Sequence, residues 1–249
     1  AGFGLSPVMS AQMLAAGFSV ADSFYITAAL CGVSGLLFFF LIKPIRAHAL
    51  VSGLELGSSL TLSSIKLILK SRALAPVIMV CLGASVFAGM TNFQTVFAEN
   101  RGLDYAAYFL AYTVTVIVFR VVLSRFKGGK SPYRTIAVLQ YIMFASVVLF
   151  MVIGGNQMLY ITVAVLFGIG YGVSYPILVA MAANDAQDDL VPQTLQLFAL
   201  TYFIGVFGFP LVAGWIIVEV GTLPLLIVVA VLAVIEATMA ARRAVQRSG

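Results

Sequence analysis

The sequence predicts an all-α, polytopic membrane helical bundle, and three observations carry that prediction. Apolar residues make up 62% of the 249 and charged residues only 9%, against roughly 25% charged in an ordinary soluble domain. So little charge cannot cover a water-facing globule of this size. The apolar residues also fall in continuous runs near the ~20 residues that a helix needs to cross about 30 Å of hydrocarbon. Lacking period-two alternation, these runs argue against a membrane barrel. Third, the cations collect in alternate connections between the runs. The apolar content excludes a disordered chain, and two cysteines exclude a disulfide scaffold.

In chain order the predicted spans cover about 1–16, 24–42, 73–98, 106–124, 135–154, 158–183, 193–219 and 222–241. The first is short. It opens on Ala1-Gly2-Phe3 with no charged n-region, so it is not read as a signal peptide but as the interior of a longer natural protein. The long connection 43–72 carries Lys43, Arg46, Lys66, Lys70 and Arg72. The next basic connection carries Arg125, Lys127, Lys130 and Arg134, and the tail carries Arg242, Arg243 and Arg247. If the spans alternate, these twelve of the 14 cations share one side, Arg101 stands on the other and Arg120 lies inside a span. The positive-inside rule makes the shared side the cytoplasm. The chain is therefore expected in a bacterial-type inner (plasma) membrane, with 43–72 and the C-terminus cytoplasmic. This bias also accounts for the net charge of +5 without nucleic acid as a partner, since no basic patch carries interleaved aromatics. Within the long connection, Ser63–Lys70 suits either a short helix in the headgroup region or a run-in to the third span.

No nucleotide loop, metal-ligand cluster or nucleophile–base pair is legible, so no enzyme, cofactor or metal is expected. Gly168-Ile169-Gly170-Tyr171-Gly172 sits inside an apolar span, where Gly168 and Gly172 form a small-xxx-small packing pair. Gly205, Gly208, Pro210 and Gly214 soften the seventh span and permit a bend. Polar groups inside the spans need a reason, because a mid-membrane charge costs about 2.5–3.5 kcal/mol on insertion scales. Arg120 either snorkels to the cytoplasmic headgroups or faces a gate or solute path, with Tyr112 and Thr113 on the same helix. Asn92 and Gln94 belong to a polar stripe with Cys81, Ser85 and Thr95, suited either to a water-filled cavity or to interhelical hydrogen bonds. Tyr171, Tyr175 and Tyr202 are candidates for either core packing or ligand contact, and Tyr171 lies too deep for the interfacial aromatic belt. Glu236 reads as an interfacial acid or as a proton-titrating carboxylate in the bundle. Asp185, Asp188 and Asp189 fall on the same side as Arg125, Lys127, Lys130 and Arg134, either as solvated loops or as a gate whose charges bridge in one state and part in another.

These features occur in a familiar order. Thr91-Asn92-Phe93-Gln94-Thr95-Val96-Phe97-Ala98-Glu99-Asn100-Arg101-Gly102-Leu103 resembles the outer end of the seventh helix of a major facilitator superfamily transporter. Arg120, then Ser124 in place of the usual Gly, and Arg125-Phe126-Lys127-Gly128-Gly129-Lys130 resemble its cytoplasmic loop motif, without the motif's usual Asp. Phe167–Pro176 is similar to the tenth helix, and Tyr202–Pro210 with Gly214 to the eleventh. The resemblance implies that 1–42 is the end of an N-terminal bundle (part of helix five, then helix six), 43–72 the cytoplasmic linker and 73–249 the C-terminal six-helix bundle. Helices one to four of the same protein would then be the missing partner. It further implies binding of a small-molecule substrate between two halves that rock about it in the lipid bilayer. The text of helices seven to eleven is similar to drug and metabolite exporters, opine-type metallophore exporters among them. With no nucleotide site and sparse intramembrane polar groups, the expected activity is secondary transport, with efflux by proton antiport. Uptake by symport and a non-transporting receptor or scaffold are the alternatives.

Overall fold

The computed structural model describes residues 2–51, 59–122 and 131–246, and among these every regular element is helical. The helices are α1 (Gly2–Ala15), α2 (Val20–Val51), α3 (Leu62–Leu69), α4 (Leu74–Thr91), α5 (Gln94–Glu99), α6 (Tyr105–Val122), α7 (Pro132–Val152) and α8 (Gln157–Asp185). A 3-10 turn (Asp188–Leu190) leads into α9 (Val191–Phe203), a π-helical segment (Ile204–Gly208), α10 (Phe209–Glu219) and α11 (Thr222–Gln246). Seven stretches are long and apolar enough to cross a membrane, α9 through α10 acting as one of them. With 14 residues, α1 is too short to do so alone.

Local chemistry sets the boundaries. Asn156 caps α8, its Oδ1 accepting from the backbone N–H groups of Met158 and Leu159 at 3.0 and 3.1 Å, donors that an isolated helix leaves unpaired. Thr61 and Ser64 form a reciprocal capping box at the start of α3, followed by a turn at Lys70–Ala73, so this stretch is a separate helix and not a run-in to the third span. Its Lys66 and Lys70 are exposed while Ile68 is buried. The polar connection begins later than 43, because α2 continues through Pro44 to Val51. The turn into α11 passes through Gly221, whose φ of 109° is a conformation that favours glycine.

The run 73–98 is not one helix. It breaks at Asn92–Phe93 into α4 and α5. The side-chain amide of Gln94 donates to the Met90 carbonyl, the acceptor that the Gln94 backbone N–H would use in a continuing helix.

Two buried clusters occupy opposite ends of the bundle. One gathers Phe97, Leu103, Tyr108, Phe150, Tyr160 and Ile216. The other gathers Ile68, Val77, Tyr133, Met181, Leu197 and Ala240 and lies at the end that carries Arg72, Arg134 and Arg243. There the Arg243 guanidinium donates to the Arg72 carbonyl at 3.1 Å, bringing two of the predicted basic segments together. At the other end Arg101 donates to the Phe150 carbonyl at 2.8 Å and stands 4.8 Å from the centre of its ring. Partial burial lowers the Arg101 pKa from the ordinary guanidinium value, with Tyr160 acting in the opposite sense. Arg101→Ala removes a charge-assisted hydrogen bond and a cation–ring contact, so it is expected to cost on the order of 1–2 kcal/mol. A lower unfolding midpoint in detergent, partly restored in Arg101→Lys, checks this.

Candidate functional site

The site is built on one turn of α8, Tyr171 to Tyr175, at the middle of a 29-residue helix. Glycines bring its neighbours in. A Cβ on Gly168 would stand 3.1 Å from the Tyr112 carbonyl and from Thr115 Cβ, and one on Gly172 would collide with Val116. Without those carbons α6 lies directly on α8. That approach lets Arg120 Nε donate to the Gly172 carbonyl at 3.2 Å. The guanidinium is exposed and acts electrostatically on both Tyr112 and Tyr175.

Aromatic rings surround this turn. Phe87 of α4 stacks on Tyr171 with centroids 4.7 Å apart, and Tyr112 lies 6.2 Å from Phe87. Tyr175 packs on Tyr202 of α9 at 5.2 Å and on Phe198 at 6.0 Å. Tyr175 and Tyr202 are half-buried. Tyr171 is buried, yet its hydroxyl makes no hydrogen bond and interacts electrostatically with Tyr202 and Tyr112. Tyr202 is followed directly by the π-helical segment, which coincides with the Gly205–Pro210 run. Such segments recur at functional positions in helices.

The other side of the same turn is a buried polar cluster. Ser174 Oγ donates to the Tyr171 carbonyl at 3.0 Å, and Gln140 Nε2 of α7 reaches Ser174 Oγ at 3.2 Å and Glu236 Oε1 of α11 at 2.6 Å. Glu236 is completely buried. Its carboxyl lies on Gly83 of α4, where a Cβ would stand 2.9 Å from both carboxyl oxygens. Gln140 Oε1 and Glu236 Oε2 have no hydrogen-bond partner. Four helices thus meet at one acid. Gln140, Ser174 and Gly83 were not singled out in the sequence. The legible signal was Gln140, a lone amide in an otherwise apolar run, which at membrane depth is costly and needs a reason.

Tyr112, Tyr171, Tyr175, Tyr202 and Arg120 are therefore brought together, with Glu236 behind them. Other candidates lie apart. Gln94 is fully buried, and its Oε1 accepts from the Tyr160 hydroxyl at 2.6 Å. Tyr160 precedes Tyr171 by eleven residues, roughly 16 Å along α8. Gln94 thus ties α5 to α8 and does not join the tyrosines. Asn92 is exposed at the end of α4. Thr113 is buried, with a hydroxyl that makes no hydrogen bond. At the cationic end Asp185 is buried and accepts from the Tyr133 hydroxyl at 2.6 Å, while Asp188 and Arg134 are exposed. Arg125 and Lys130 lie outside the described residues. Gly205 abuts α4, a Cβ there falling 2.6 Å from the Cys81 carbonyl, whereas Gly208 and Gly214 face open space. Pro210 sits in the first turn of α10, where the missing N–H breaks no helix bond. Among the described residues no group of three or more His, Cys, Asp or Glu could hold a metal ion.

Comparison with protein families matches the Major Facilitator Superfamily over residues 1–210. The chain belongs to the major facilitator superfamily. Comparison with curated proteins finds no match. As a member of this superfamily the chain is an integral membrane protein and a secondary transporter of small solutes, and the superfamily is generally non-enzymatic. Superfamily membership also accounts for the character of the site: an aromatic wall at mid-helix with one cation and one buried acid, all carried by membrane-length helices.

Proposed function

We propose that this chain forms one wall of a proton-driven exporter of small organic solutes that works by alternating access. The observation that supports it is the two-faced turn of α8. One face offers tyrosines and Arg120 to a solute, and the other holds Ser174 against Gln140 and Glu236. A proton arriving at or leaving Glu236 would change the hydrogen bonding of the helix that also contacts the solute. Binding and proton occupancy would then share one mechanical element.

In this reading residues 1–42 close an N-terminal bundle, 43–72 form a cytoplasmic linker, and 73–249 form the C-terminal bundle of a protein held in a plasma-type membrane. The opposite wall belongs to the first four helices of the family. Asp185 and Asp188, with Arg125, Lys130 and Arg134, form the cytoplasmic gate. Asp185→Asn with Asp188→Asn is expected to change the transport rate several-fold through the balance of inward- and outward-open forms, because exposed pairs are individually worth only about 0–1 kcal/mol. Crosslinking yields across the two faces check that shift.

The full-length protein in ATP-free proteoliposomes tests the function itself. Imposing a proton gradient should drive solute accumulation in the direction opposite to proton flow. Accumulation in the same direction as protons would establish uptake by symport, and strict dependence on ATP would reject secondary transport.

A further inference from the structure

The geometry points to a planar organic anion, a carboxylate carried on an aromatic body, as the solute class taken by this site. The inference rests on the transporter reading above. A cation in the lower part of a span has two ordinary fates: to snorkel to the headgroups, or to pair with an acid. Arg120 does neither among the described residues. Its side chain turns onto α8, where Nε donates to the Gly172 carbonyl, and no described carboxylate pairs with it. The Nε contact fixes the plane of the guanidinium and leaves the two terminal amino groups as its forward edge. That edge matches the two oxygens of a carboxylate, the fork-to-fork geometry in which arginine binds most strongly.

The surroundings select the rest of the molecule. Tyr112 and Tyr175 lie within electrostatic reach of the guanidinium. The half-buried rings of Tyr175 and Tyr202 offer aromatic faces beside it. The Tyr171 hydroxyl is a buried donor without a partner, and leaving such a group unmade is unfavourable. A bound anion would satisfy both the guanidinium edge and this hydroxyl while its flat body lies against the tyrosines. An aliphatic acid would meet only the charge, and a neutral aromatic only the rings. A phospholipid headgroup shares the anionic chemistry, and the membrane composition separates the two sources.

The test uses 2-naphthoate, 2-naphthamide and hexanoate as probes of the full-length protein reconstituted in phosphatidylcholine vesicles, with and without phosphatidylglycerol, reading competition for a fluorescent naphthoate analogue. Naphthoate should compete best in both membranes. In Arg120→Gln its affinity should fall about 10- to 100-fold, the range of a charge-assisted contact, while naphthamide binding is unchanged. Arg120→Lys should fall between the two. Persisting naphthamide binding shows that the variants are folded. Equal competition by all three probes, or an Arg120→Gln variant that keeps its preference for naphthoate, overturns the assignment. Competition that disappears when phosphatidylglycerol is present assigns the anion to a lipid headgroup and overturns it too. Naphthoate binding without any proton-driven movement would instead count against the antiport reading alone.

Discussion

Glu236→Gln abolishes solute accumulation driven by a proton gradient, yet leaves solute exchange at equal pH largely intact. The reason lies in what the substitution keeps. A glutamine has the same length, can accept from Gln140 Nε2 as Glu236 Oε1 does at 2.6 Å, and fills the same space over Gly83. It cannot gain or lose a proton. If the cluster is the station through which proton movement is felt by α8, the carrier becomes uncoupled and keeps its solute path. Glu236→Leu is harsher, because Gln140 then faces an apolar group in a buried place and loses an acceptor. An unmade buried hydrogen bond costs about 1–3 kcal/mol, so this variant should also unfold at lower temperature. Parallel assays of pH-driven accumulation and equal-pH exchange separate uncoupling from misfolding.

Gly170→Val should prevent stable assembly of the bundle. A Cβ at this position would stand 2.6 Å from the Met143 backbone nitrogen, 2.7 Å from Met143 Cβ and 2.8 Å from the Leu139 carbonyl. These are mainly backbone contacts, so no flexible side chain can yield and α7 must move away from α8. Overpacking of this kind costs typically 1–3 kcal/mol for the first added carbons, and valine adds two more. Gly170→Ala should then unfold measurably earlier, and Gly170→Val should be recovered poorly. Separating α7 from α8 also draws Gln140 from Ser174, so the surviving Gly170→Ala protein should couple protons less tightly. Gly214→Ala is the matched control: its Cβ meets open space, and alanine is a better helix former than glycine. Comparative yields and unfolding midpoints in detergent read the difference.

Much of the fold is legible because a membrane imposes a length and a composition on each span, and both are local properties of the chain. The helices from α4 to α11 fall where the apolar runs lie, and the basic segments around Arg72 and Arg243 meet in space. What the runs conceal is a break made by a side chain. Hydropathy is continuous through Asn92–Phe93, and only the Gln94 amide on the Met90 carbonyl divides α4 from α5. The tyrosines of the candidate site are legible because Tyr171 is too deep for an interfacial aromatic. The Gln140–Glu236 contact joins residues 96 positions apart, and no spacing rule reaches that far. Glycine roles divide in the same way. Gly205 and Gly208 stand three apart in one softened run, but only Gly205 meets α4. The residue type permits a close approach, and the partner helix decides where one occurs.

The central claim is that the Tyr171–Tyr175 turn faces a solute passage while the Gln94–Tyr160 pair is packing. Thiol accessibility in the full-length protein tests it most directly, in a background lacking Cys31 and Cys81. Cysteines at positions 175 and 202 should react with a membrane-impermeant maleimide and be protected by transported solute, whereas a cysteine at position 160 should stay unlabelled. Equal inaccessibility at all three positions, or labelling at 175 and 202 that no solute slows, would contradict the account.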